Sequence, residues 1–241
     1  MMDWDAFFKL HHALPREGPG QAADVAWAMG LADLPEAPLI CDLGCGPGAD
    51  TAALLDAVPD AEVLAIEAHG PYVDAVRDRF QGDPRVKAET GDMAQLPDHP
   101  AAPFDAIWCA GALYFLGLEA GPATMARALR PGGVLAFSEP AFFTEAPSDG
   151  ARAFWDDYPT RHEAAVAVAV RRAGFRLLGQ RQLADAAWEA YFAPIDERIA
   201  GLRAGADAAL AAALDAAEAE AAGWRTHRAE TGYTLVVARR E

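Results

Sequence analysis

The fold of this chain is decided by the stretch Pro38-Leu39-Ile40-Cys41-Asp42-Leu43-Gly44-Cys45-Gly46-Pro47-Gly48-Ala49-Asp50. It begins as a short apolar run typical of a buried strand, and the residues that follow, 51–55, have helical spacing. Three glycines lie between these parts, where a missing β-carbon allows positive φ angles and lets a ligand approach the backbone closely. Amides at the start of the helix would point at a polar group held there. The stretch therefore predicts a strand, a ligand-binding turn and a helix.

Two nucleotide-binding folds use a glycine turn of this kind. Gly44, Gly46 and Ala49 match the G-x-G-x-x-G/A spacing of dinucleotide-binding enzymes, with Glu67 at the end of a second strand. Asp42 favours the other fold, because an acid at this strand end would repel a pyrophosphate but could pair with the ammonium group of an amino acid. Residues 42–48 closely resemble the glycine motif of class I S-adenosylmethionine-dependent methyltransferases, whose methyl donor carries an amino-acid end and no phosphate.

Composition restricts the protein class. The 241 residues, 52% of them hydrophobic, can bury one sizeable core, so a single domain over residues 1–241 is expected. The chain contains no run of about twenty apolar residues, and residues 1–5 are acidic where a signal peptide needs basic ones. These features predict a cytoplasmic protein without a membrane partner.

The net charge and the cysteine content restrict the classes of molecule that the protein could bind. The formal net charge is −16, from 20 Lys and Arg against 36 Asp and Glu, which argues against nucleic acid and favours a small or cationic molecule. Cys41, Cys45 and Cys109 fit no disulfide framework or usual zinc spacing, so we interpret them as small buried hydrophobic residues and expect no metal site.

Strands and helices alternate from Pro38 onward, which is typical of a parallel sheet covered on both faces. We expect an α/β Rossmann-like fold with a doubly wound seven-stranded sheet, mostly parallel with an antiparallel C-terminal strand. The predicted parts are a helical N-terminal cap (1–34), a nucleotide-binding core (38–183), a helical insertion (189–222) and the last strand (233–238). Strands after the first are expected at 62–67, 86–89, 104–109, 134–138, 175–183 and 233–238, and a Leu-Arg-Pro-Gly-Gly turn at 129–133.

The resemblance implies a site for S-adenosylmethionine. Glu67 would accept both ribose hydroxyl protons, Asp92 would meet the adenine amino group, and Met93 would pack against the ring. The residue types also allow Glu67 to be an exposed strand-end acid and Asp92 a plain turn residue. Arg16 could place its guanidinium on the donor carboxylate. The full predicted donor site is Arg16, Asp42, Gly44, Cys45, Gly46, Glu67, Ala68, Asp92, Met93, Cys109 and Ala110.

Methyl transfer is an in-line displacement, so the main task of the protein is to hold two molecules collinear in a dry cleft. Amine or thiolate acceptors would need little more, whereas hydroxyl or carbon acceptors would need a base. The candidate bases by position are His11, Tyr114 and Glu139, each of which could instead be structural. The Asn/Asp-Pro-Pro-Tyr run common in methyltransferases of base amines and amide nitrogens is missing after residue 109, although another nitrogen nucleophile remains possible.

Residues 11–20, 111–114, 138–143 and 154–155 resemble a subgroup of small bacterial methyltransferases of unassigned substrate. The resemblance implies methylation of a small-molecule acceptor by a monomer or homodimer, with S-adenosylhomocysteine as product. Two alternatives stay open. One is an NAD(P)-dependent oxidoreductase with the same early strand, turn and helix. The other is a non-catalytic S-adenosylmethionine-binding protein, since the sequence offers no indispensable catalytic side chain.

Overall fold

The computed structural model describes residues 3–156 and 158–241, so predictions that involve Met1, Met2 and Asp157 lie outside it. Its helices are α1 (Trp4–His11), α2 (Ala22–Ala32), α3 (Ala49–Ala57), α4 (Gly70–Arg79), α5 (Ala120–Ala128), α6 (Asp149–Ala153), α7 (Glu163–Arg172), α8 (Asp185–Leu202) and α9 (Ala208–His227). Its strands are β1 (Leu39–Leu43), β2 (Glu62–Glu67), β3 (Val86–Thr90), β4 (Phe104–Cys109), β5 (Leu129–Phe142), β6 (Arg161–His162), β7 (Phe175–Gln182) and β8 (Thr231–Arg240). Short 3-10 helices cover Met93–Asp98, Leu113–Leu116 and Arg203–Gly205.

One sheet organises the chain, with the strand order β3-β2-β1-β4-β5-β8-β7. Strands β3 to β5 pair in parallel, and β8 runs antiparallel between β5 and β7. The strand order reverses between β1, which pairs with β2, and β4 on its other side. The predicted Rossmann-like fold with its antiparallel C-terminal strand is confirmed, and the reversal marks the sheet edge where such folds bind ligands.

Strand β5 differs from its prediction at both ends. Residues 129–133, expected as a turn, lie within the bounds of β5: Leu129 pairs with Phe104, and after a register shift pairing with β4 resumes at Val134. At the other end the strand continues past Ser138 to Phe142, where it pairs with the two-residue strand β6. Strand β6 covers Arg161–His162 and is followed directly by α7 at Glu163.

Apolar side chains fill both faces of the sheet. On one face the core includes Leu54 of α3, Val25 of α2 and aromatic residues of α8 and α9, where Trp188 and Trp224 stack with ring centroids 5.0 Å apart. On the other face Met125 of α5 and Val170 of α7 are fully buried. Burial on both faces explains why the strands read as continuous apolar runs.

Helix α1 of the cap packs against the two helices that precede β8. Helix α1 contacts α8 and α9, and Arg198 of α8 donates to the carbonyl of Lys9 at 2.7 Å. The predicted helical insertion 189–222 consists of two helices whose outer limits are residues 185 and 227. Between residues 3 and 241, with residue 157 left aside, no helix is both long and apolar enough to cross a membrane.

Candidate functional site

A cavity of about 1100 Å³ lies where β1, β2 and β4 end. The glycine turn, Glu67 and the start of the β4 loop form one side, and α1 with the loop that follows it forms the other. Of the predicted donor residues, the cavity is lined by Arg16, Gly44, Cys45, Gly46, Glu67, Ala68, Asp92, Met93 and Ala110. The fold therefore gathers most of that set at one place.

The turn after β1 requires its first glycine. Gly44 has a φ of 73°, and a β-carbon there would lie 2.6 Å from the β-carbon of Ala112. The Gly44 amide donates to the carbonyl of Ile66 at 2.8 Å, which ties the turn to β2. Gly44 thus has a left-handed backbone conformation and no space for a β-carbon. Because glycine has no side chain, a ligand can approach the peptide groups of the turn.

Glu67 closes the turn from the end of β2. One of its carboxylate oxygens accepts the amide of Gly46 at 3.1 Å, and the other accepts the amide of His69 at 3.0 Å. Each carboxylate oxygen has two lone pairs, so both oxygens keep one for a diol placed in the cavity. The structural and ligand-binding roles of Glu67 are compatible.

Asp42 sits behind the turn and is only 2% exposed. Its carboxylate accepts the hydroxyl proton of Thr51 at 2.6 Å, and its side chain is not part of the cavity lining. Burial, together with the nearby Asp50 carboxylate, raises the pKa of Asp42 to about 8. A cation bound nearby would favour the ionised form.

Arg16 lines the cavity, and its guanidinium is already bonded. It donates to Asp50 at 2.8 Å and to the carbonyl of Gly18 at 2.7 Å, with a third bond to the carbonyl of Gly20. Asp50 also accepts the indole N–H of Trp108 at 3.0 Å. Because a guanidinium has five N–H donors, two of the Arg16 donors are left for a carboxylate in the cavity.

Asp92 and Met93 lie at the far end of the cavity, after β3. Asp92 accepts the amide of Ala94 at 2.8 Å and so caps the 3-10 helix Met93–Asp98. One carboxylate oxygen of Asp92 is used in this cap, and the other oxygen remains available for a ligand. Asp92 can therefore be both a turn residue and a ligand-binding residue.

The three candidate bases occupy different depths. Tyr114 lines the cavity, whereas His11 and Glu139 do not belong to the described lining. Burial raises the pKa of Glu139 to about 7, and the hydroxyl of Tyr158 donates to it. The Tyr158 ring meets Tyr114 edge to face at 5.9 Å, so the two tyrosines stand between Glu139 and the cavity.

His11 is buried and positions another side chain. Its Nδ1 lies 2.8 Å from a carboxylate oxygen of Glu17, and its ring stacks on Phe7 with centroids 3.8 Å apart. Glu17, not His11, faces the cavity. His11 can therefore affect a ligand only by positioning the Glu17 carboxylate.

Burial raises the pKa of all three cysteine thiols, with Cys41 and Cys109 entirely inside the core and Cys45 at the cavity wall. Cys109 is therefore not placed to touch a ligand through its side chain. Over residues 3–156 and 158–241, no three His, Cys, Asp or Glu side chains are grouped so that they could hold a metal ion.

Several lining residues were not singled out from the sequence. They are Trp4, Phe7 and Phe8 of α1, Glu17, Asp50, His69, Tyr72, Phe115 and Tyr191. The aromatic spacing of α1 was visible, as was the Arg16-Glu17-Gly18-Pro19-Gly20 loop. The sequence does not show which face of the cap packs against the glycine turn.

Comparisons with known proteins agree with this geometry. A profile of the family described as "Methyltransferase domain" matches residues 40–133. A trans-aconitate 2-methyltransferase of Methylobacterium nodulans is 36% identical over 142 residues, which are 58% of this chain and 51% of that protein. The chain thus spans about half the length of this curated relative.

Two solved structures share the whole fold. A SAM-dependent methyltransferase from Geobacter sulfurreducens, in complex with S-adenosyl-L-homocysteine, superposes with a TM-score of 0.83 at 17% identity, covering 98% of both chains. Another from Thiobacillus denitrificans, in complex with the same molecule, gives 0.82 at 18% identity over 100% of both chains. Residues 40–133, which include the acid-preceded glycine turn, thus match the methyltransferase domain family, and the chain as a whole has the fold of these two methyltransferase structures.

Proposed function

We propose that this protein transfers a methyl group from S-adenosylmethionine to a small-molecule acceptor and leaves S-adenosylhomocysteine. The observation that carries the proposal is the lining of the cavity. The glycine turn, Glu67 and the Asp92-Met93 pair line it together with aromatic side chains from α1, α4 and the β4 loop. Its volume of about 1100 Å³ lies at the upper end of the range of about 300 to 1000 Å³ common for ligand pockets, which leaves room for a small acceptor beside the donor.

The residues present fit the donor. The glycine turn admits a ligand against the backbone, Glu67 keeps lone pairs for ribose hydroxyls, and Met93 offers an apolar surface to the adenine ring. The two remaining Arg16 donors suit the donor carboxylate, and Asp42, which lies behind the turn and outside the lining, would favour the donor ammonium through its charge without touching it. When bound, the donor supplies a methyl group on a sulfonium. The protein supplies alignment, exclusion of water and a negative surrounding for a cation.

The alternatives are less well supported. The carboxylates of Asp50 and Glu67 line the cavity at the turn, and a dinucleotide pyrophosphate would be repelled by them. The antiparallel β8 also follows the methyltransferase pattern of the sheet. A non-catalytic binding protein would have no use for the second half of the cavity.

The wider expectations belong to the same proposal. Residues 1–241 form a single methyltransferase domain that acts in the cytoplasm as a monomer or homodimer. The net charge of −16 supports a small acceptor and opposes nucleic acid. The trans-aconitate named for the curated relative is one candidate acceptor.

Calorimetry with S-adenosylhomocysteine tests the donor site. We expect micromolar binding, weakened about tenfold or more by Glu67→Ala, because the variant loses ribose contacts and the support of the turn. Glu62→Ala, at the exposed start of the same strand, should bind like the wild type. Equal affinity in both variants contradicts the site. Thermal stabilisation by NAD(H) but not by S-adenosylmethionine would contradict the proposed methyl transfer. A screen of metabolites, trans-aconitate included, with labelled S-adenosylmethionine identifies the acceptor.

A further inference from the structure

Two buried polar groups in the cavity wall lie beside each other and have no further partner among the described residues. They are one carboxylate oxygen of Glu17 and the hydroxyl of Tyr72, a residue that is only 6% exposed. Both residues line the cavity, and Glu17 is close enough to raise the pKa of Tyr72 further, beyond the larger effect of burial. A carboxylate oxygen and a tyrosine oxygen each accept up to two hydrogen bonds, so even when bonded to each other this pair keeps acceptor capacity that a ligand N–H group can use.

The other carboxylates of the cavity are already engaged. Asp50 binds Arg16 and Trp108, Glu67 holds two backbone amides, and Asp92 caps a 3-10 helix. Glu17 uses one oxygen for His11 and keeps the other free. Glu67 and the second oxygen of Asp92 serve the donor under the proposed function, so in the described lining Glu17 is the carboxylate with a buried oxygen left for an additional molecule.

The lining is poor in positive charge. Arg16 is the one Lys or Arg side chain among the described lining residues, and three of its five donors are bonded within the protein. Its remaining donors are needed for the carboxylate of the donor. A polycarboxylate acceptor would thus lie against acids without a counter-ion, which is unfavourable in a partly buried site.

Aromatic rings complete the cavity around this acid. Trp4, Phe7 and Phe8 lie on the cap side, and Tyr114 and Phe115 lie opposite. Trp4 and Phe115 are 60% and 72% exposed, which is unusual for large apolar side chains and places apolar surface at the cavity opening. Aromatic faces together with an acid attract organic cations.

We propose that the methyl acceptor is a small amine with an apolar or aromatic body, held at its nitrogen by Glu17 and Tyr72. The inference rests on the proposed function and adds the substrate class to it. The acid and the tyrosine oxygen both accept N–H bonds, and the rings of α1 and of the β4 loop enclose the body of the amine. His11 is a positioning residue that holds Glu17 from behind.

The chemistry balances for a secondary amine. The ammonium form gives one N–H proton to the Glu17 carboxylate, and the freed nitrogen lone pair forms the new N–C bond. The S–C bond breaks with its electron pair on sulfur, so the sulfonium becomes a neutral thioether. The product keeps its second N–H proton as a tertiary ammonium, and Glu17 returns its proton to water.

Binding to the S-adenosylhomocysteine complex tests the inference without knowledge of the natural acceptor. The probes are N-methyl-2-phenylethylamine, the carboxylate 3-phenylpropanoate of similar size, and trans-aconitate. We expect the amine to bind at least about tenfold more tightly than either acid, because Glu17 attracts one charge and repels the other. Tighter binding of either carboxylate would overturn the substrate class.

Variants separate an acceptor role of Glu17 from a donor role. Glu17→Gln should weaken amine binding about tenfold and leave S-adenosylhomocysteine affinity within about twofold, and Tyr72→Phe should weaken amine binding about threefold. Glu62→Gln, an exposed acid outside the cavity, is the matched control. If Glu17→Gln instead weakens S-adenosylhomocysteine and spares the amine, Glu17 serves the donor and the inference is wrong.

The same measurements distinguish the two levels of the proposal. A wild-type protein that binds no S-adenosylhomocysteine overturns the proposed function, and the acceptor class with it. A protein that binds S-adenosylhomocysteine and labels trans-aconitate but not the amine keeps the proposed function and overturns only the acceptor class.

Discussion

The two sides of the cavity satisfy their polar groups in different ways. On the glycine-turn side, Asp42 binds Thr51, Asp50 binds Arg16, and Glu67 holds backbone amides. On the cap side, an oxygen of Glu17 lies beside the hydroxyl of Tyr72 from α4, the two have no further described partner, and large rings are exposed. The first side is preorganised by the fold itself. The second side keeps unmet hydrogen bonds, so we expect its occupant to be the more variable ligand among relatives.

The largest effect is expected from breaking the preorganised side at Gly44. Gly44→Ala combines a left-handed backbone with a clash against Ala112, and should lower the free energy of unfolding by about 2 kcal/mol more than the matched Gly82→Ala. Gly82 has a φ of 85°, and a β-carbon at that position would meet no atom within 4 Å, so it reports backbone strain alone. Urea denaturation measures both variants, and equal losses would show that the close approach to Ala112 is unimportant.

The next effect concerns the charge of Asp42. Since its pKa is about 8 in the free protein, a donor ammonium that needs the ionised form should bind more tightly as pH rises from about 6 to about 8. Binding at neutral pH should then release a proton, which calorimetry in buffers of different ionisation enthalpy detects. Asp42→Asn should remove that release and flatten the pH dependence. Proton release unchanged in the variant would assign it to another group.

The raised pKa also affects stability, with a definite sign. The folded protein holds the Asp42 proton more tightly than the unfolded chain does, so this contribution to stability is complete below the ordinary aspartate pKa of 3.8 and is lost as pH rises through about 8. The stability of Asp42→Asn relative to the wild type should therefore increase with pH over that window. Denaturation midpoints at several pH values measure it, and a constant difference would contradict the shift.

A smaller effect tests the link between the two sides. Arg16→Lys keeps the charge but loses the planar set of donors to Asp50 and two carbonyls, so S-adenosylhomocysteine affinity should fall about fivefold. Arg77→Lys, on the exposed surface of α4, should bind S-adenosylhomocysteine as the wild type does. Equal affinities in the two variants would show that Arg16 only shapes the loop.

The smallest effect is expected at the opening of the cavity. Trp4→Ala and Phe115→Ala should each raise the KM for the acceptor about threefold without changing the melting temperature, because both rings are mostly exposed. Val168→Ala removes an exposed apolar side chain elsewhere and should change neither quantity. An effect on S-adenosylhomocysteine affinity instead of KM would move these rings to the donor side.

Much of the preorganised side could be predicted from the sequence. The apolar run before Gly44, the spacing of the glycines and the acid ending β2 are local patterns, and local patterns survive in any fold that keeps the strands. The predicted strand limits were wrong where hydrogen-bonding partners in the sheet determine whether a residue belongs to a strand. Residues 129–133 look like a turn but belong to β5, and strand β6 exists because residues 141–142 offer it an edge.

The cap side lay beyond such reasoning. Glu17 and Tyr72 are far apart in sequence, and nothing local shows that α1 and the following loop bring them to one wall. Glu139 has the residue type and position of a base, but only packing shows Tyr158 and Tyr114 in front of it.

By itself, the sequence determined the sheet, the glycine turn and the kind of donor, because backbone conformation and hydrophobic periodicity are properties of neighbouring residues. Only the tertiary structure decided which carboxylates are satisfied and which one still has a free oxygen. That outcome depends on hydrogen bonds between distant segments, and these form only once the cap has packed against the sheet.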